Sequence, residues 1–241
     1  MSQMAVTDKA ISAIKNMIID GELKPGDRLP PEKQLSERIG VSRNSLREAV
    51  KALSVIQVLS VRQGDGTYVT SLEPELLIEA LGFVLDLHQD AEVLHIMEVR
   101  RLLEPTAVEK ACAHLEEADY QYLEELMAPL GPDSPVGELV EADIAFHHHI
   151  NSRCGNAYLV SLLDGFASAT ARARLWRGLT EGASVGRTLE EHHRIISAMR
   201  EGRADLAKVY AAAHVAGVEA WVIRGAQAGD DTDSSAPVPA V

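Results

Sequence analysis

A single glycine between two short helical segments constrains the fold of this chain more than any other feature. Pro30 and Pro31 favour an extended segment at a helix start, and the short helix that follows runs to Ile39, where Gly40 ends it. Ser42 is a natural N-cap for a third helix, whose buried stripe would consist of Leu46, Val50 and Leu53. Two helices joined by a tight glycine turn indicate a helix-turn-helix.

A further helix precedes this pair, and a hairpin follows it. Apolar residues at helical spacing predict the first helix, which begins near Ala5 and ends at Gly21. Two β-prone runs, 58–62 and 67–70, surround a glycine-rich connection typical of a β-hairpin. The periodicity changes near Pro74. Residues 1–74 are therefore predicted to form a winged helix-turn-helix domain with a small β-hairpin wing.

The charge of the chain divides unevenly at this boundary. The net charge of −13 argues at face value against binding to nucleic acid. However, residues 1–74 contain ten Lys and Arg against nine Asp and Glu, whereas the remainder contains 13 against 27. The acidic excess belongs to the second part, so the nearly neutral first part can bind DNA if its basic groups share one face.

The second part, residues 75–225, is predicted to be an all-helical bundle, which makes the whole chain mainly α. Aromatic residues are only 4% of the chain, while Ala, Leu, Glu and Arg are abundant, and this composition favours helices over a sandwich or barrel. The periodicity predicts helices over 75–88, 92–113, 116–128, 136–153, 156–175, 185–201 and 203–224. The clearest loops are 129–132 and 178–186, and residues 226–241 have the composition of a disordered tail.

Three further features bear on where the protein acts. The longest apolar run, 76–87, is interrupted by acidic residues and falls short of the ~18 residues that span a bilayer, so no membrane partner is expected. The N-terminus lacks a basic segment followed by an apolar one, which favours the cytoplasm. Cys112 and Cys154 are too few for a disulfide framework, and we interpret both as buried thiols.

Polar side chains gather at the start of the third helix, on the side away from its apolar stripe. They are Ser42, Arg43, Asn44, Ser45 and Arg47. Arginine forks fit guanine, asparagine fits adenine, and small hydroxyls beside free helix-end amides fit phosphate. A solvated, capped helix is the alternative interpretation of this helix alone. The preceding helix and the glycine-rich wing favour a recognition helix that binds DNA.

Three segments resemble the winged-helix signature of GntR-type bacterial transcription regulators: 29–35, 41–49 and 64–69. The resemblance covers roughly residues 5–70. It implies contacts with operator DNA for Lys33, Ser42, Arg43, Asn44, Ser45 and Arg47, and for the wing at Gly64 and Gly66. One departure is Asp65, at a wing position that is often basic or small in relatives. Phosphate would repel this carboxylate, so the depth to which the wing inserts stays open.

The second part concentrates histidines, since eight of the nine lie within residues 95–214. Asp143 and His147 are four residues apart on the apolar face of one helix, and His192 and His214 fall on apolar faces of the last two helices. Burying these four side chains without partners would cost several kcal/mol, whereas a divalent metal would satisfy all of them. The alternative is a set of hydrogen-bonded core histidines. Successive residues of a helix are rotated by ~100° about its axis, so the neighbouring histidines are expected outside such a site. They are His148, His149 and His193.

This half is similar to the FCD effector domain of the FadR-like GntR subgroup. The similar segments are 98–105, 142–147, 155–156, 191–192 with Ile195, and His214. The resemblance implies a metal held by Asp143, His147, His192 and His214, with zinc favoured over nickel or manganese, and a small carboxylate effector beside it.

Such a carboxylate needs cationic partners besides the metal. Arg100 is the first candidate and Arg172 the second. The alternative for Arg100 is a surface ion pair with Glu104 one helical turn later. Helical phase does not decide whether Arg101, Arg174 or Arg177 points inward.

Together these features predict a ligand-responsive transcription regulator, with repression as the expected sign. Reading a pseudo-palindromic double-stranded operator needs two recognition helices ~34 Å apart, so a homodimer is expected. A carboxylate bound beside the metal would then change operator affinity.

Two alternatives belong to other classes. A metal-dependent hydrolase or isomerase could use the Asp/His cluster to activate water. However, the sequence has no motif such as His-Glu-x-x-His for a separate general base, and an enzyme has no use for the polar face of the third helix. We therefore expect no enzyme. The other alternative is a purely structural metal without an effector.

Overall fold

The computed structural model describes residues 6–74, 76, 93–181 and 184–233, with only the backbone for Ser168 and for 225–233. It divides into two compact units, Met1–Ala80 and Leu81–Val241. The predicted boundary at residue 74 lies a few residues before this division. The predicted helix 75–88 lies outside the described residues, apart from Leu76.

The first unit is a winged helix-turn-helix, as the sequence predicts. Its elements are α1 (Val6–Ile19), α2 (Glu32–Ile39), α3 (Arg43–Val55), β1 (Leu59–Arg62) and β2 (Gly66–Val69). The strands pair antiparallel, with Leu59 opposite Val69 and Arg62 opposite Gly66. The buried core joins all five elements and includes Ala10, Ile14, Leu35, Leu46, Ala49, Leu53, Leu59 and Val69.

Local chemistry sets the turn between α2 and α3. Gly40 has a φ of 70°, in the left-handed region that favours glycine, and its N–H donates to the carbonyl oxygens of Ser36 and Glu37. Two residues later, the Ser42 hydroxyl accepts the backbone N–H of Ser45 at 3.0 Å and caps α3. The direction of α3 is therefore determined by a glycine C-cap and a serine N-cap.

All described secondary-structure elements of the second unit are helices. Its helices are α4 (Val93–Ala111), α5 (Glu117–Met127), α6 (Val136–Ser152), α7 (Ala157–Ala169), α8 (Ala171–Thr180), α9 (Ser184–Arg200) and α10 (Ala204–Asp233). Helix α10 packs along α4 and α9, and α6 packs against α7 and α8. The main apolar core includes Leu123, Met127, Phe146, Ile150, Ile195, Met199 and Ala211.

The predicted single helix 156–175 is wrong, because the chain forms two helices there that meet at Thr170. Thr170 is fully buried, and its hydroxyl donates to the Phe166 carbonyl oxygen at 2.8 Å. A threonine that bonds back to the preceding turn bends a helix. The same hydroxyl oxygen lies 2.6 Å from a guanidinium nitrogen of Arg100, which holds Thr170 in place.

The predicted loop 178–186 is also shorter in the structure, since α8 continues to Thr180 and α9 begins at Ser184. Gly178 therefore lies inside a helix. A Cβ atom at this position would overlap the side chain of Val136 on α6. Gly178 thus allows close helix packing, whereas we interpreted it from the sequence as a loop signal.

The final helix extends beyond its predicted end at residue 224. Helix α10 reaches Asp233 and so includes residues 226–233 of the predicted disordered tail; residues 234–241 lie outside the described residues. Ala226, Gln227 and Ala228 are good helix formers, so the helix continues through them. The prediction ended the helix too early because it followed the acidic composition of the residues farther on.

The segment Ala204–Arg224 of α10 is long and apolar enough to cross a membrane, so the prediction of 76–87 as the longest apolar run is wrong. In the structure this helix packs against other helices of the second unit. It contains buried His214, and its charged residues pair with α4: Lys208 with Glu109 at 2.6 Å and Glu219 with Arg101 at 2.8 Å.

Candidate DNA-binding surface and candidate metal centre

Helix α3 presents the predicted polar face to solvent. Ser42, Arg43, Asn44 and Arg47 are exposed, Ser45 is half-buried, and Lys33 is exposed on α2. The opposite side of α3 is buried, although Ala49 takes the central place that we assigned to Val50. Arg47 donates to the Glu32 carboxylate at 2.8 Å, but its side chain is 63% exposed, so water screens the pair and makes it weak.

The wing contains two glycines around an acidic tip. Gly64 has a φ of 77°, which favours glycine at the turn. The Asp65 carboxylate accepts the Tyr68 hydroxyl at 2.8 Å. The Asp65 carbonyl oxygen accepts a hydrogen bond from Arg28. The acidic tip that the sequence analysis singled out is therefore hydrogen-bonded within the wing.

The structure brings the four predicted metal-ligating residues together from three helices. Asp143 and His147 lie on α6, His192 on α9 and His214 on α10, and each residue is at most 3% exposed. The Asp143 Oδ1 atom lies 3.1 Å, 3.6 Å and 3.7 Å from the Nε2 atoms of His192, His147 and His214. The Nε2 atoms of His147 and His214 are 3.2 Å apart.

The four ligand atoms all lie within 4.8 Å of one another, which is compatible with a shared metal ion. Ligand atoms that are each ~2.1 Å from one metal lie roughly 3.0 to 3.5 Å apart, so the wider pairs would have to close around it. In the described part of the chain, Nδ1 of fully buried His192 has no hydrogen-bond partner, while its Nε2 faces the Asp143 carboxylate. Burial also lowers the pKa of His192 to about 4, which keeps the ring in the neutral form that coordinates metals. The buried cluster is thus compatible with metal binding.

Glu191 contacts the ring nitrogen of His214 that faces away from the cluster, a role that we did not predict from the sequence. Its Oε2 atom lies 2.8 Å from Nδ1 of His214, the arrangement in which a carboxylate orients a metal-ligating histidine. Burial lowers the pKa of His214, but the Asp143 and Glu191 carboxylates outweigh this effect and raise it to about 9. The only sequence signal for Glu191 is its position beside His192.

Arg174 on α8 pairs with Asp143, and both side chains are buried. Burial raises the pKa of Asp143, but the interactions with Arg174 and His147 outweigh burial and hold that pKa well below its usual value. Beside the cluster is a cavity of about 20 Å³, enough for roughly one water molecule. Its polar lining consists of Asp143, Arg174, Arg177, Ser184, Thr188 and His214.

The two arginines predicted to bind an effector differ in their burial. Arg100 is only 2% exposed; it pairs with Glu104 at 2.8 Å and donates to Thr170, so the expected ion pair is present but buried. Arg172 is exposed on α8, whereas Arg174 and Arg177 on the same helix are buried. The structure therefore places two residues that we left unassigned, instead of Arg172, beside the cluster.

Three neighbouring histidines bond outside the cluster. The partners are Asp164 for His148 and Asp119 for His149, each at 2.9 Å, and the Leu189 carbonyl oxygen for His193 at 2.6 Å. His148 and His149 directly follow His147 on α6. They are therefore matched controls for substitutions of the cluster histidines.

Two family models match the chain. Residues 6–69 match "Bacterial regulatory proteins, gntR family" and residues 95–217 match the FCD domain. The HTH-type transcriptional regulator LutR of Bacillus subtilis is 34% identical over 209 residues, covering 84% of this chain and 94% of LutR. The galactonate operon transcriptional repressor of Escherichia coli is 27% identical over 208 residues, covering 84% and 90% of the two chains.

A solved structure agrees with these matches. Streptococcus agalactiae GntR superimposes with a TM-score of 0.62 and is 27% identical, covering 88% of this chain and 98% of that one. The matched domains and relatives are transcription regulators, which confirms the prediction of a regulator over the hydrolase or isomerase alternative. The chain belongs to the gntR family of bacterial regulatory proteins, as a winged helix-turn-helix transcription regulator with an FCD domain.

Proposed function

We propose that the protein is a cytoplasmic, homodimeric repressor that binds a pseudo-palindromic operator and responds to a small carboxylate. Regulators of this family bind operator DNA. The exposed polar face of α3, with Arg43, Asn44 and Arg47, supports α3 as the helix that enters the major groove. Lys33, Ser42, Ser45 and the wing glycines Gly64 and Gly66 complete the proposed contact surface.

The observation that carries the metal part of the proposal is the convergence of one carboxylate oxygen and three imidazole nitrogens on one buried point. We infer that Asp143, His147, His192 and His214 hold one divalent metal ion per chain. This donor set suits zinc best, and nickel or manganese also accept it. A bound metal supplies positive charge that attracts an anionic ligand.

The arginines beside the cluster support a carboxylate effector. A metal at the cluster would neutralise Asp143 and free Arg174 to pair with the carboxylate. Buried Arg177, which pairs with Glu181 at 2.7 Å, lines the same cavity. The cavity of about 20 Å³ is too small for an effector as it stands, so binding requires Arg174 or α8 to move. Arg100 stays a candidate, because it is buried near Arg174 although it pairs with Glu104, and Arg172 is a weaker one, because it is exposed.

The names of the relatives agree with this class of ligand. One relative is named for the operon of galactonate, which is a carboxylate, and it is named a repressor. An effector that weakens operator binding must itself bind more weakly to the DNA complex, because coupling is reciprocal. Titrating a carboxylate with and without operator DNA therefore tests the proposed coupling directly.

Elemental analysis of full-length protein tests the metal site. We expect one metal per chain in the wild type and in His148→Ala and His149→Ala, and little metal in His192→Ala and His214→Ala. Loss of metal from the control pair alone would place the site elsewhere. If the wild type contains no metal after purification with added zinc, the cluster is a polar core and the cofactor proposal fails.

A thermal-shift screen of small carboxylates on zinc-loaded protein tests the effector. A specific ligand stabilises the folded protein by mass action. We expect the stabilisation to disappear in Arg174→Ala and in metal-free protein. A ligand that stabilises the protein equally in both cases binds at another site.

The dimer has a separate test. Two half-sites one DNA turn apart need two copies of α3, and we expect the helical part to hold the copies together. Sedimentation should give a dimer for the full chain and a monomer for residues 1–74. A full-length monomer on its own operator would contradict the symmetric arrangement.

A further inference from the structure

The segment before α2 runs beside the wing and forms an isolated β-bridge with it. The backbone N–H of Gly26 donates to the Val69 carbonyl oxygen at 2.9 Å, and the N–H of Leu29 donates to the Thr67 carbonyl oxygen at 2.8 Å. Arg28 lies between these bonds, opposite Tyr68. Arg28 thus belongs to the loop between α1 and α2, yet it sits beside the wing.

The side chain of Arg28 reaches the tip of the wing. Its guanidinium donates to the carbonyl oxygen of Asp65, and it lies against Gly66. A Cβ atom on Gly66 would be 2.5 Å from Arg28 Nε and 3.1 Å from its Cζ. The two wing glycines therefore have different roles: Gly64 supplies a left-handed φ in open space, whereas Gly66 leaves room for Arg28.

The same arrangement holds the acidic group of the tip. The Tyr68 hydroxyl donates to the Asp65 carboxylate at 2.8 Å, and the Arg62 guanidinium lies 4.3 Å from the centre of the Tyr68 ring. Arg28 fixes the backbone of Asp65, and Tyr68 fixes its carboxylate. A carboxylate held in this way is less free to turn toward DNA phosphates, which would repel it.

We propose that Arg28 is a positioning residue for DNA binding: its guanidinium, seated on Gly66, fixes the wing tip so that the Asp65 carboxylate stays with Tyr68 when the wing meets the operator. The inference rests on the proposed role of the wing at the operator. It differs from a direct role, in which Arg28 would itself bind a phosphate.

Operator titrations with the full-length, zinc-loaded protein separate the two roles. If Arg28 positions the tip, Arg28→Ala and Gly66→Ala each weaken binding roughly five- to tenfold, about what one lost hydrogen bond costs. The double variant is then no weaker than either single variant, because both changes remove the same contact. Arg28→Lys, which keeps the charge but lacks the planar guanidinium group, behaves like Arg28→Ala.

A direct phosphate contact predicts different results. Arg28→Ala would then reduce the slope of log affinity against log salt by ~1, Arg28→Lys would retain most binding, and the effects of Arg28→Ala and Gly66→Ala would add. Any of these results overturns the proposal. Arg38→Ala removes another exposed arginine of the same unit, which pairs with Glu22, and should leave binding unchanged.

A second variant tests the carboxylate itself. Tyr68→Phe removes the hydroxyl that holds Asp65, so it should weaken operator binding, and Asp65→Asn in the same chain should restore it. No restoration would overturn the role assigned to Asp65.

Thermal unfolding of each variant separates positioning from misfolding. Gly66→Ala displaces only the flexible end of Arg28, so its unfolding temperature should equal that of the wild type. If Gly66→Ala unfolds early, the role inferred for Gly66 is wrong. If Arg43→Ala binds normally as well, the proposed DNA surface fails; if only the wing variants bind normally, the positioning inference alone fails.

Discussion

The two units place their functional polar groups in opposite environments. On α3, Arg43 and Asn44 are exposed, whereas Asp143 and His192 in the helical unit are at most 3% exposed. An exposed polar group contributes little to the free energy of unfolding, but a buried one depends on its partners. Substitutions on the exposed face of α3 should therefore change DNA binding alone, while substitutions in the buried cluster should change stability and function together.

The largest expected effect comes from removing the cluster carboxylate. Asp143→Ala leaves Arg174 buried without its partner, so the free energy of unfolding of metal-free protein should fall by about 3 to 5 kcal/mol. Urea denaturation followed by tryptophan fluorescence reports on the helical unit alone, because Trp176 and Trp221 both lie there.

A neighbouring acidic residue provides the control for this prediction. Glu190→Ala removes a 72% exposed carboxylate, which pairs with Arg194 at 3.6 Å, and should change the free energy of unfolding by less than ~0.5 kcal/mol. If Asp143→Ala has an effect as small as that of Glu190→Ala, burial of a carboxylate does not decide its contribution to stability, and the difference between the two environments is wrong.

The DNA-binding unit should respond in the opposite way. Arg43→Ala should weaken operator binding by about 1 to 3 kcal/mol, because a good base contact is lost, while urea denaturation and metal content stay unchanged. Gel-shift titration at several salt concentrations gives the affinity. A stability loss in Arg43→Ala would show that this exposed side chain supports the fold, which contradicts the expectation that it affects DNA binding alone.

A third case is a buried carboxylate with a partly exposed partner, since the Arg153 side chain is 48% exposed. The Asp119 side chain is only 5% exposed, and it accepts hydrogen bonds from Arg153, His149 and the backbone N–H of Glu116. Burial raises the pKa of Asp119, but these partners outweigh burial and lower it. A carboxyl with a lowered folded-state pKa stabilises the protein above its unfolded-state pKa, and this contribution is lost as the pH falls through the folded-state pKa.

Asp119→Asn should therefore be less stable than the wild type by about 1.5 kcal/mol at neutral pH, since hydrogen bonds to a charged group are lost. The difference should shrink as the pH is lowered below ~3.9, the ordinary value for Asp. Urea denaturation at pH 7, 5, 4 and 3 measures it. A difference that is the same at every pH would mean that the Asp119 charge is unimportant.

The sequence predicts the first unit more completely than the second, because the features of the first unit depend on local interactions. Gly40 and Ser42 act on backbone groups within four residues, so a local pattern was enough to predict the turn and the start of α3. Asp143 and His147 could be predicted to lie together, because one helical turn separates them. The approach of His192 and His214 followed from their apolar faces.

Two of the wrong predictions involve contacts between distant elements. The bend at Thr170 depends partly on Arg100, and the helical position of Gly178 depends on Val136. Neither partner is close in sequence, so helix periodicity alone could not reveal them. The same limit applies to Arg174, whose inward direction is fixed by the buried Asp143.

The smallest expected effect concerns Ser42, the residue at which a structural role and the proposed DNA contact coincide. Ser42→Ala removes the cap from the Ser45 N–H, so it should destabilise α3 by about 1 kcal/mol, whereas Ser42→Gly should cost only a few tenths of a kcal/mol. Hydrogen exchange of the Ser45 amide measures this local stability. If the hydroxyl also binds phosphate, both variants should weaken operator binding equally, although only Ser42→Ala accelerates exchange. If operator binding instead follows exchange, with Ser42→Gly close to the wild type, Ser42 acts only as a cap, and at this position of α3 structure and DNA recognition cannot be separated.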